Sequence, residues 1–107
     1  MSGVQPITST DEWERVLGSG IASVIMFSAD WVGPGKIMRD VFEKLTEEFV
    51  DVDFYTVDVD KHEAIAKEAG IRAMPSFVTY KYGEKVDTVI GPNPLALKTL
   101  INQAVGH

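Results

Sequence analysis

The sequence contains no cysteine. No disulfide, thiolate nucleophile or thiolate metal ligand can therefore form, and thiol–disulfide exchange lacks its reacting atoms. The absence is neutral on redox compartment, because a thiol-free chain is compatible with either. Histidine is nearly missing as well, with only His62 and the terminal His107. A zinc centre then has too few ligands, and Ser28 has no adjacent base to make it a nucleophile. Positive charge is in deficit: 10 Lys and Arg against 16 Asp and Glu leave a formal net charge of −6. Arg39, Lys81 and Lys85 are scattered, so there is no basic face for phosphates and no expected nucleic-acid partner. No apolar run approaches the ~18 residues of a membrane span. The opening Met1-Ser2-Gly3-Val4-Gln5-Pro6 has no charged or apolar leader segment, and serine at position 2 removes myristoylation. The expected location is the cytoplasm, with no membrane partner.

What is present fits one domain spanning residues 1–107, with 45% hydrophobic residues and enough length to bury a core unaided. A short strand is expected near Val4–Ile7. Ser9-Thr10-Asp11 opens a helix carrying Trp13 and Val16-Leu17, stopped by Gly18-Ser19-Gly20. Ile21 to Phe27 is a continuous β-branched and apolar run, the pattern of a strand buried on both faces. Pro34 sits in the first turn of a long helix, where its missing N–H is harmless. Ile37, Val41, Leu45 and Phe49 recur every four residues, flanked by Met38 and Phe42, and predict an apolar stripe on that helix. Glu43, Lys44, Glu47 and Glu48 take its wet side.

Val52–Val59 reads as a second central strand, and Lys61–Ala69 as a helix ended by Gly70. Ser76–Tyr80 and Lys85–Ile90 read as a hairpin around Tyr82-Gly83-Glu84. Asn93-Pro94 opens a last helix with Leu97, Leu100, Ile101 and Val105 turned inward. Strands alternating with helices and closing on a hairpin predict an α/β domain with a mixed central sheet and helices on both faces.

Two other motifs fail on inspection. Gly33-Pro34-Gly35-Lys36 ends like a phosphate loop, but Asp30 stands where its first glycine belongs and Ile37 where the magnesium-binding Ser or Thr belongs. Asp51, Asp53, Asp58 and Asp60 lack the glycine and closing glutamate of a calcium loop. They read as solvated strand ends. No cofactor is expected.

The decisive segment is Trp31-Val32-Gly33-Pro34-Gly35-Lys36. It resembles the thioredoxin active-site loop, Trp-Cys-Gly-Pro-Cys-Lys, with both sulfurs gone. The resemblance extends through Ala29-Asp30-Trp31, through Val57-Asp58-Val59-Asp60 in its eukaryotic form, and through Gly70-Ile71-Arg72-Ala73-Met74-Pro75-Ser76-Phe77, with Gly83 and Gly91 at matching places. It covers nearly the whole chain and implies the thioredoxin fold, a single domain with a mixed five-stranded sheet and four helices on both faces, in a eukaryotic, fungal-type cytosolic member.

By that resemblance Val32 replaces the nucleophilic cysteine, Gly35 the resolving cysteine and Met26 the buried aspartate, while Ser28 stands where a tryptophan is common. The resemblance also implies a cis bond at Met74-Pro75 and a groove where an extended peptide pairs with backbone. Trp31, Val32, Gly33, Pro34, Ala73, Met74, Pro75, Gly91 and Pro92 form the expected binding patch.

Two functions follow as expectations. One is a redox-inactive protein- or peptide-binding module, not an enzyme, whose partners include thioredoxin-reductase-like proteins or thioredoxin targets. The other is a cysteine-substituted variant of a protein-disulfide reductase whose native form is redox active. A decoy competing with an active thioredoxin is a third role open to the same surface.

Overall fold

The computed structural model describes residues 3–106, apart from the side-chain surroundings of Pro34, Gly35 and Gly106. Met1, Ser2 and His107 lie outside the described residues. The elements run β1 (Val4–Pro6), α1 (Thr10–Leu17), β2 (Ser23–Ser28), α2 (Gly33–Glu48), β3 (Asp53–Asp58), α3 (Glu63–Ala69), β4 (Ser76–Lys81), β5 (Glu84–Ile90) and α4 (Pro94–Gly106). One five-stranded sheet has the order β1-β3-β2-β4-β5. β1, β3 and β2 are parallel, and β4 and β5 join antiparallel.

All six residues of β2 are buried. Side chains alternate along a strand, so Ile25 and Phe27 enter one core with Trp13, Ile65 and Val78. Val24 and Met26 enter the other core with Met38, Phe42 and Leu100. A strand serving two cores cannot show a polar face, which explains the unbroken apolar run. Ile21 lies outside that run, 48% exposed. Its neighbour Ala22 supplies the carbonyl that Asp53 N–H meets at 3.0 Å, so pairing begins only beyond Ile21.

Two other expectations need correction. Ile37 does not join the apolar stripe of α2; it is 68% exposed, whereas Met38 and Phe42 are fully buried. Four-residue steps drift about 40° each around a helix, and Ile37 lies about 100° from Met38. The buried line is therefore centred on 38 and 42, with Val41, Leu45 and Phe49 half-buried at its edge. Helix α3 begins at Glu63 rather than Lys61, with His62 as its cap residue. The amides of Asp60 and Lys61 are instead held by Asp58 Oδ1, at 2.9 and 3.2 Å, in a tight turn.

The helix ends obey the sequence signals. Ser9 Oγ accepts from Glu12 N–H at 3.1 Å, and Asn93 Oδ1 accepts from Ala96 N–H at 3.1 Å. The hairpin turn has two residues, not three, because Glu84 already pairs with Lys81. Its central residues Tyr82 and Gly83 have φ of 53° and 78°, both positive as a twist-matched two-residue turn requires.

Buried Trp13 meets Phe27 and Tyr80 edge-on, at centroid distances of 6.2 and 5.4 Å, and its indole donates to Glu68 of α3. Burial, with Glu68 nearby, pushes the Tyr80 hydroxyl up from 10.0 to about 12. The unfolded chain therefore loses this proton first as pH rises. The stabilisation is complete below pH 10 and is lost as pH climbs from 10 to about 12. Urea midpoints measured across that window should fall more steeply for the native chain than for Tyr80→Phe; equal slopes would contradict the assignment.

Candidate functional site

The register places four connections at one end of the sheet. Ser28 pairs with Asp58, Phe27 with Ser76, and Ser76 with Ile90. The segments after β2, after β3, before β4 and after β5 therefore converge there. Open α/β sheets place their ligand crevices at such carboxyl ends.

After β2, Val32 N–H bonds Ala29 carbonyl at 3.1 Å and the chain enters α2 with extended geometry at Val32, φ −85° and ψ 104°. Val32 makes no side-chain cap, and Pro34 occupies the first turn. Trp31 is 69% exposed, yet its Nε1–H donates to Asp60 Oδ2 at 2.7 Å. Asp60 is fixed in turn by the Asp58 turn, so the exposed indole is tied to the end of β3. That anchoring selects one orientation for a large apolar surface with little conformational freedom left to lose on binding.

The second wall is the Met74-Pro75 segment, which contains a cis bond as the resemblance implied. Ser76 Oγ donates to Ala73 carbonyl at 2.5 Å, and Pro75 carbonyl accepts from Gly91 N–H at 2.8 Å. Gly91 has φ of 99°, a conformation that glycine adopts without strain. A Cβ built at Gly33 or Gly91 would meet nothing within 4 Å, so both walls open onto free space.

The expected patch thus divides. Trp31, Gly33, Ala73 and Pro92 are exposed, while Met74 and Gly91 are half-buried. Val32 is only 7% exposed and Pro75 is buried, so they shape the walls from behind rather than present side chains. Val32 therefore does not belong to the exposed apolar surface, because the turn at the start of α2 directs it inward. Met26 is 1% exposed and fills the floor beneath α2.

The family model for thioredoxin matches residues 4–103. The chain belongs to the thioredoxin family. It is 47% identical over 102 residues to thioredoxin from Malassezia sympodialis, covering 94% of this chain and 97% of that protein. It is 40% identical over 104 residues to thioredoxin from Coprinus comatus, covering 95% of this chain and 98% of the relative. Among solved structures, Malassezia sympodialis thioredoxin superposes with a TM-score of 0.92 at 45% identity, covering 97% of this chain and 92% of that one. Mitochondrial thioredoxin 3 from Saccharomyces cerevisiae gives 0.89 at 37% identity, with 94% of each chain covered.

Thioredoxin architecture is thus retained in a chain with no sulfur at position 32 or 35. Sequence reading missed the partner of Trp31: Asp60 looked like one more solvated strand-end acid. The available signal was Asp58 followed by Asp60-Lys61 just before a helix, a pattern in which an aspartate caps successive amides. The unpartnered Ser28 Oγ was also missed, and nothing in the sequence marks it.

Proposed function

We propose that this thioredoxin-family chain binds an extended protein segment non-covalently, through the surface on which the family performs disulfide exchange. The observation that carries the reading is the exposed Trp31 indole, anchored to Asp60 at the end of the sheet where the segment before β4 also lies. Aromatic side chains with low entropy cost are favoured as binding anchors. The open space at Gly33 and Gly91 leaves room for a backbone to approach. An extended segment pairing beside Met74-Pro75 would gain main-chain hydrogen bonds without a mixed disulfide.

The reading assigns no enzymatic role to the chain as it stands, since neither attacking nor resolving thiol exists. Candidate partners are proteins that also meet redox-active thioredoxins, a thioredoxin-reductase-like protein included. A cytoplasmic setting accords with this, and among the described residues no helix is long and apolar enough to cross a membrane.

The test is partner recovery on the immobilised chain with and without Trp31→Ala. Recovery should fall with the variant while its circular dichroism and melting stay unchanged. Undiminished recovery would remove Trp31 and this surface from the account.

The second reading, a cysteine-substituted form of a protein-disulfide reductase, is favoured by relatives that carry the name thioredoxin, one of them at 47% identity. Sequencing the native transcript at codons 32 and 35 separates the two readings. Cysteine codons there would support the reductase reading, and valine and glycine codons would remove it.

A further inference from the structure

Ser28, the last residue of β2, is 4% exposed, and its Oγ has no hydrogen-bond partner. Buried hydroxyls are almost always satisfied, by protein or by ordered water. Beside Ser28 lies a cavity of about 50 Å³ whose walls include Met26, Arg39, Thr56 and Asp58. The register explains the grouping. Met26 pairs with Thr56 and Ser28 with Asp58, so the four side chains leave the same face of the sheet, the one that α2 covers and from which Arg39 reaches in. Asp58 Oδ1 is engaged by the amides of Asp60 and Lys61. Its second carboxylate oxygen has no hydrogen-bond partner among the described residues.

We infer that this cavity is a binding site for one ordered water molecule, which accepts from Ser28 Oγ–H and donates to the second oxygen of Asp58. Arg39 also lines the wall. Internal waters typically make about three hydrogen bonds, and one water occupies about 30 Å³ of liquid, so both the donor set and the volume fit. An anion is disfavoured by the Asp58 carboxylate, and an apolar guest by the polar walls. The water ties the end of β2 to the Asp58 turn, whose next residue but one, Asp60, holds the Trp31 indole. The assignment stands on this geometry alone and is independent of what the outer surface binds.

Water-to-protein NOE and rotating-frame NOE spectra of the full native chain test it, recorded beside Ser28→Ala and Ser23→Ala. Ser23 carries the other buried unpartnered hydroxyl among the described residues and does not line this cavity. The native chain should show a negative cross-peak, the mark of a water resident for nanoseconds or longer, at the Ser28 or Asp58 protons. Ser28→Ala should abolish that cross-peak and Ser23→Ala should retain it, both variants being folded by amide dispersion. Should Ser28→Ala fail to fold, Ser28→Gly serves in its place. No resident-water signal in the native chain, or a signal at Asp58 that survives loss of the hydroxyl, would overturn the assignment.

Discussion

Val32→Cys combined with Gly35→Cys should give this cysteine-free chain clear insulin-disulfide reductase activity. The two positions stand three residues apart at the entry to α2, the spacing of the two cysteines in the loop it resembles. No side chain caps that helix end, which leaves the first amides and the positive end of the dipole free to lower a thiol pKa at position 32. The opposite wall keeps its tether, the Gly91 N–H held by the Pro75 carbonyl.

The rate should nonetheless fall short of a redox-active thioredoxin by roughly tenfold or more. By the resemblance, Met26 stands where the family carries a buried aspartate, and a positioned acid–base group commonly contributes about 10²–10⁴-fold. Adding Met26→Asp should raise the rate and lower stability by about 2–3 kcal/mol at pH 7, because a carboxyl then enters a site now 1% exposed. Burial raises that carboxyl's pKa above its unfolded value. The stability loss should therefore be smallest at acidic pH and grow as pH rises through the folded pKa. A folded double variant without activity would show that the walls have drifted beyond the two sulfurs.

Most of the fold was legible because periodicity and punctuation agree along this chain. The all-apolar β2, the caps at Ser9 and Asn93, and the glycines at 18, 70 and 83 each point to one local structure. Errors arose where tertiary context decides. Ile37 satisfies a four-residue spacing, yet the sheet contacts α2 along Met38 and Phe42. Lys61 looks helical, but a carboxylate three residues earlier claims its amide.

The site was legible only through the Trp31–Lys36 loop and the Met74-Pro75 segment. Spacing could not show that Val32 turns inward, nor that Asp60, 29 residues beyond Trp31, orients the indole.

Trp31→Ala carries the other large effect. The ring is mostly exposed and belongs to neither core cluster, so its loss should leave the fold intact. An anchor of this kind is typically worth 2 kcal/mol or more on truncation, or about 30-fold in affinity. The decisive measurement is isothermal titration of a recovered partner into the native chain and into Trp31→Ala, both in the absence of any thiol. The account predicts reversible, non-covalent binding to the native chain and affinity weakened about 30-fold in the variant. Equal affinities for the two proteins would contradict it.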